Sequence, residues 1–273
     1  MVHPIAADRI GHAAMRLWRF LRRGHRFRLM ELIERAKIRL CVDHPLGEEK
    51  PVPLDEAQAH YLFAVMRLGP GARVALFNGA DGEWTAEVTE AAKKRGTLLC
   101  LGLAAPQLSP PDLWLLFAPI KKERTDFIVE KATELGCARV LPVATEFTNA
   151  GRIRQDRLQA HALEAAEQCL GTYVPEVADL EPLRKVLAGW DPARRVLWAD
   201  ESLVGPAETL AGLAPGPWAI LIGPEGGFSE AERAALRALP FVTPVSLGPR
   251  ILRADTAACA AITLWQAALG DWR

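Results

Sequence analysis

At 273 residues, half of them hydrophobic and with 33 basic against 33 acidic side chains, the chain has apolar material for two domains and no bulk charge that would advertise a nucleic-acid binder. No apolar run approaches the ~20 residues of a membrane-spanning helix. The five cysteines (Cys41, Cys100, Cys137, Cys169, Cys259) are scattered and form no C-x-x-C, which speaks against a disulfide or zinc framework and for reduced thiols in a cytosolic protein.

The zero net charge hides an asymmetry. Residues 1–30 hold seven arginines and one acid, so the remainder is net −6. That basic extension, residues 1–36, reads as a poorly ordered segment, an RNA-binding arm or an Arg-rich presequence. Residues 37–105 read as a small β domain. Asp55 and Gln58 can cap a short helix carrying Tyr61, Leu62, Val65 and Met66. Arg73–Phe77 and 83–88 are strand-like and flank Asn78-Gly79-Ala80-Asp81-Gly82, a hairpin signal. Lys93-Lys94-Arg95-Gly96 is a basic turn before a strand at 97–103. The stretch 104–112, with three prolines, is a linker, leaving 106–112 between the two domains.

From residue 113 to 273 strands and helices alternate, which implies an α/β domain on a mostly parallel sheet. Strands are expected at 113–119, Arg139–Ala144, Arg195–Ala199, Trp218–Ile222 and 241–247. Helices are expected at 122–135, with Phe127, Ile128, Lys131, Ala132 and Leu135 near one face, and at 154–169. A short helix at most is expected at 206–213. Ser229 and Glu232 form a capping box opening a helix that runs to about Leu239, and Asp255 can N-cap the last helix, from Thr256 to about Leu269. The last two units share one logic: an apolar strand, a Gly-Pro turn and a helix start. Two such loops at adjacent strand ends can make one ligand pocket outside the carboxyl edge of the sheet. There is no G-x-x-x-x-G-K-[ST] and no G-x-G-x-x-G, which argues against a P-loop or Rossmann cofactor. The six histidines show no metal spacing, and no Ser/His/Asp or Cys/His constellation can be built.

The motifs IGPEGGFSEAE (222–232) and LGPRILRADTAA (247–258) resemble the C-terminal signature of the 16S rRNA uracil-N3 methyltransferases, members of the SPOUT class of knotted enzymes. HYLFAVMRL (60–68) and FNGADGEWTAEV (77–88) are similar to that family's PUA-like β domain, and EKATELG (130–136) and AAEQCLGTYVPE (165–176) to interior parts of its catalytic domain. The resemblance implies a C-terminal trefoil knot and a homodimer whose active site lies near the subunit interface. It implies S-adenosyl-L-methionine as cofactor, held by Gly223, Pro224, Glu225, Gly226, Leu247, Gly248, Ile251, Leu252 and Arg253. It also implies transfer of the methyl group to N3 of a uridine in 16S rRNA, in the cytoplasm, with no metal and no membrane.

N3 must lose a proton, and the charge that develops spreads onto O2 and O4. Arg253 is the first candidate to stabilise it, with Arg250 second, unless Arg253 is tied up by Asp255 or Glu225. Glu225 is the available carboxylate for proton removal, or else orients its own loop. Lys121, Lys122, Arg124, Arg152, Arg154 and Arg157, with 93–95 apart from them, are the cationic candidates for RNA. Family members carry an arginine shortly after the Glu167-Gln168 pair and this chain has none through Thr172; Arg152 or Arg154 could substitute. A methyltransferase for another RNA and a non-catalytic RNA-binding protein are the rival readings.

Overall fold

In the computed structural model residues 36–272 are described, apart from 150, 201, 204–209 and 211. The arginine-rich N-terminal segment and most of the short helix expected at 206–213 lie outside them. Residues 38–273 form one compact unit built on two sheets.

The first sheet has five strands in the order β1-β3-β4-β5-β2: β1 (Arg39–Cys41), β2 (Pro51–Leu54), β3 (Arg73–Phe77), β4 (Glu83–Ala92) and β5 (Arg95–Ala105). All its pairings are antiparallel except β1 with β3. The hairpin turn at 78–82 is held by the Asn78 side chain, whose Oδ1 accepts from the Ala80 and Asp81 amides. Asp55 and Gln58 form the expected capping box of α1 (Glu56–Ala59), and the chain then widens into a π-turn over His60–Val65. Leu62 of that turn is fully buried, whereas Tyr61, Val65 and Met66 are exposed.

The second sheet takes β6 (Leu113–Phe117), β7 (Arg139–Ala144), β8 (Glu176–Val177), β10 (Arg195–Ala199), β11 (Trp218–Ile222) and β12 (Val242–Val245) in the order β12-β10-β11-β6-β7-β8, with β9 (Glu181–Pro182) beside β7. Every pairing in it among the described residues is parallel. Its central strands are buried on both faces, which is why they read as unbroken apolar runs. Leu115, Leu197 and Ile220 pack towards α2 (Lys122–Glu134), α3 (Gln155–Gln168) and α6 (Ala254–Leu269). Their neighbours Leu116, Trp198, Ala219 and Leu221 pack on the other face, towards α4 (Leu183–Ala188) and α5 (Glu230–Arg237). Pro244 lies in β12, an edge strand, where a missing N–H costs no ladder bond.

Three sequence expectations need correction. Phe127 is not on the inner face of α2: it is 39 % exposed, with the Lys131 ammonium 5.4 Å above its ring. Residues 127 and 131 lie one turn apart on the outer side, and the inner side is Thr125, Ile128, Val129 and Ala132. Asp255 does not N-cap the last helix; Arg253 takes that position in extended backbone, and Asp255 sits in the first turn. The two C-terminal Gly-Pro loops do not follow adjacent strands, because β10 lies between β11 and β12.

One side chain joins the two sheets. Arg39, 7 % exposed on β1, donates from Nε to Glu83 of β4 at 2.8 Å. Its terminal nitrogens donate to the carbonyls of Ala166, Glu167 and Gly171 at 2.7–2.8 Å, at the C-terminal end of α3. There the helix leaves acceptors without intrahelical partners and carries partial negative charge. Glu167 returns the contact by accepting from the Cys41 amide at 3.0 Å; burial raises its pKa, against the pull of that amide and of Arg39. The 167–172 segment is thus served by Arg39, and not by Arg152 or Arg154. The linker is tied at the same place: the Gln107 side chain bridges the Gly82 amide and the Thr172 carbonyl, and the Leu108 amide donates to Thr172 Oγ1.

Candidate active site

The carboxyl ends of β10, β11 and β12 open into one cavity of about 360 Å³. The 223–227 loop forms one wall and the 247–253 loop another, so all nine expected cofactor residues line the same space. The third wall, Ala199 at the end of β10 with Asp200 and Leu203 beyond it, was not expected. The apolar run of β10 was legible, but its place between the other two strands was not, and only that place brings its end to the cavity.

Two glycines explain the loops locally. A Cβ on Gly223 would stand 2.6 Å from the ring of Phe228, which is buried edge-on against Trp198 at 5.6 Å. Gly248 has φ +116°, a conformation that side chains rarely adopt, with open space where its Cβ would be. The amides of Glu225, Gly226, Ile251 and Leu252 have no protein acceptor among the described residues. They are donors available to a ligand's carboxylate or heterocycle.

Arg253 and Arg250 both line the cavity and are exposed, and neither has an acidic partner among the described residues. Asp255 pairs instead with Arg124 of α2, Oδ2 to guanidinium nitrogen at 2.5 Å, so Arg124 is committed to packing α2 on α6 and leaves the set of free RNA cations. Glu225 is exposed, and its carboxylate makes no hydrogen bond among the described residues; the loop is not ordered by it.

Asp200 anchors the third wall. Its buried carboxylate accepts from the Ser202 amide and hydroxyl at 3.0 and 2.7 Å, from Arg233 at 2.5 Å and from Arg237 at 3.0 Å. Burial raises its pKa, but these donors outweigh it and the net shift is downward from the ordinary 3.8. The folded pKa lies below the unfolded one, so the stabilisation is present above the unfolded value and is lost as pH falls through the folded value. Asp200→Asn removes the charge that both arginines bind. We expect at least a fivefold rise in the dissociation constant of the cavity's ligand, read by calorimetry, with melting lowered by a few degrees. An unchanged dissociation constant shows that the wall holds without the ion pairs.

The other cations expected to meet RNA are divided. Lys121, exposed, is the N-cap of α2. Lys122, Arg152 and Arg154 surround a second cavity. Lys94 and Arg95 lie at the β4–β5 turn, paired with Glu56 and Glu90.

Comparison with known proteins places this geometry. Residues 107–266 match the RNA methyltransferase domain family and residues 54–99 the RNA methyltransferase PUA domain. The chain is 28 % identical over 234 residues to ribosomal RNA small subunit methyltransferase E of Rickettsia conorii, covering 85 % of this chain and 90 % of that one. It is 33 % identical over 225 residues to the Synechocystis protein of the same name, covering 78 % and 72 %. The solved Neisseria gonorrhoeae ribosomal RNA small subunit methyltransferase E, bound to S-adenosyl methionine, superposes with a TM-score of 0.77 at 27 % identity over 86 % of this chain and 99 % of that one. The parallel sheet with its preceding PUA-like sheet is the architecture this chain shares with that structure, and the chain belongs to the RNA methyltransferase family that includes the ribosomal RNA small subunit methyltransferases E.

Proposed function

We propose that the protein methylates N3 of a uridine in 16S rRNA of the small ribosomal subunit, using S-adenosylmethionine and working as a homodimer. The observation that carries this reading is the convergence of the 223–227 and 247–253 loops on one cavity whose guanidinium groups, Arg253 and Arg250, have no acidic partner among the described residues. The donor set fits the cofactor: Ile222, Leu247 and Leu252 offer apolar walls for an adenine, and the open loop amides suit its polar edge and a carboxylate. Ile251, 83 % exposed at this cavity, supports a second subunit close by.

When bound, S-adenosylmethionine supplies an electrophilic methyl group. The chain's part is to orient the uracil and to stabilise the charge that appears as N3 loses its proton. Arg253, fixed by its backbone at the start of α6, offers a planar pair of donors to a uracil oxygen carrying that charge. Glu225 is the carboxylate free to accept the proton.

Arg253→Lys keeps the charge and loses the fork. Turnover at saturating substrates falls at least about tenfold, roughly 1.4 kcal/mol of transition-state stabilisation, while cofactor affinity changes less. Wild-type turnover in both Arg253→Lys and Arg253→Ala makes the residue structural. The function itself is tested by incubating the enzyme with small subunits from a strain lacking its gene and methyl-labelled S-adenosylmethionine. Label in N3-methyluridine of 16S rRNA is the expected result; label in another nucleoside or only in tRNA overturns it.

A further inference from the structure

A second cavity, of about 290 Å³, lies beside the first along the carboxyl edge of the sheet. The first turn of α2 lines the second cavity and is tied to the start of α6, which lines the first. Lys122, Thr125 and Asp126, at i, i+3 and i+4, face the second cavity. Arg124, on the opposite side of that turn, bonds Asp255 of α6, whose neighbours Arg253 and Ala254 line the first. The Ala118 amide donates to the Ile222 carbonyl at 3.0 Å, so the chain entering the second cavity leaves the sheet next to the strand that feeds the first. Those two strands are neighbours, about 5 Å apart.

The second cavity is amphipathic. Ile120, Ile153 and Leu158 give it an apolar side. Lys122, Arg152, Arg154 and Arg157 give it a cationic one. Arg157 is bound to Asp126 and Arg154 to Asp156, but Lys122 and Arg152 have no acidic partner among the described residues. The N-termini of α2 and α3 both start here, and neither has a side-chain cap, so their first amides add to the positive potential. An apolar pocket with a cationic rim suits a ligand with a flat heterocycle at one end and a phosphate at the other.

We propose that this cavity is a second RNA subsite, taking one unpaired nucleotide that neighbours the methylated uridine. Its phosphate lies against Lys122 and Arg152 and its base against Ile120, Ile153 and Leu158. The proposal rests on the RNA methyltransferase reading and adds to it a place where the strand is gripped. A volume of about 290 Å³ admits one nucleotide and no duplex. Its polar side chains other than the cations are already engaged: Thr125 Oγ1 with the backbone of Ile120, and Asp126 with Arg157. The subsite therefore positions the strand and reads its sequence little.

Two kinds of variant separate a cavity from a charged surface. Ile153→Trp fills the space without changing charge; Lys122→Ala with Arg152→Ala removes the free cations and leaves the space. Both raise KM for undermethylated small subunits at least tenfold, and neither changes the S-adenosylmethionine dissociation constant more than twofold. The double variant also lowers the slope of log KM against log salt by about 1 to 2, which Ile153→Trp leaves as it is, and Lys122→Arg restores wild-type KM. Lys122 and Arg152 are exposed, so the double variant keeps the test valid if Ile153→Trp melts early. An unchanged KM in the double variant, or a harmless Ile153→Trp in a folded protein, overturns the subsite while the methyltransferase reading stands. Should the wild type methylate no RNA, that reading falls separately. Titrating a fluorescent five-residue oligouridylate into wild type and variants then decides the cavity alone: equal affinities overturn it, and weaker binding by both variants supports it.

Discussion

Arg39→Ala lowers the stability of the protein by about 3–5 kcal/mol, the cost of removing one partner from a buried ion pair. The side chain lost is the one that binds Glu83 and three carbonyls at the end of α3, and it also stacks on Phe77 with its guanidinium carbon 4.6 Å from the ring centroid. Glu83 is 0 % exposed and would lose the Arg39 guanidinium. For a chain of this size each kcal/mol moves the melting temperature by roughly 2–4 °C, so a fall of about 10 °C is expected in a thermal scan. Arg39→Lys recovers only part of it, because one ammonium cannot reach four acceptors spread around a planar fork. A melting temperature within 2 °C of wild type in Arg39→Ala would mean that the two sheets are held together mainly by apolar contact.

Gly248→Val weakens S-adenosylmethionine binding by about 100-fold, equivalent to roughly 2.7 kcal/mol, and leaves the fold in place. Nothing lies within 4 Å of the position its Cβ would occupy, so the side chain itself is accommodated. The backbone is not: at φ +116° a branched residue costs on the order of 1–3 kcal/mol. The loop relieves that strain by moving the amides of Ile251 and Leu252. Gly223→Val is the contrasting change, since its Cβ drives into Phe228 and the core beneath, and it should unfold the protein before it reports on the ligand. Calorimetry on folded Gly248→Val showing affinity within threefold of wild type would remove the 247–253 loop from the cofactor site.

Much of this architecture is readable from residues because its elements announce themselves locally. β7, β10 and β11 have the bounds that their apolar runs predict. α5 starts at the Ser229–Glu232 capping box, both halves of which form. The two signature loops could be assigned to one site because their motifs are specific. Lateral order carries no such signal. Nothing in Trp218–Ile222 says that its neighbours are β10 and β6, so the Asp200 wall was invisible. β1, β2 and β8 are two to four residues long and take their conformation from the strands beside them. Arg39 meets acceptors 127 to 132 positions away in sequence, a pairing no local pattern encodes.

A seven-residue linker containing three prolines is a stiff spacer, but stiffness alone does not fix the angle between two domains. Here Gln107, Leu108 and Thr172 stitch it down, and Arg39 bolts β1 to α3 beside it. The molecule is in effect a caliper with a fixed gap. Any RNA that touches both the PUA-like sheet and the catalytic cleft must already present its two segments at that spacing, or spend its own conformational entropy to do so. RNA whose two segments are already held at that spacing meets the gauge without that cost, and a loose strand does not.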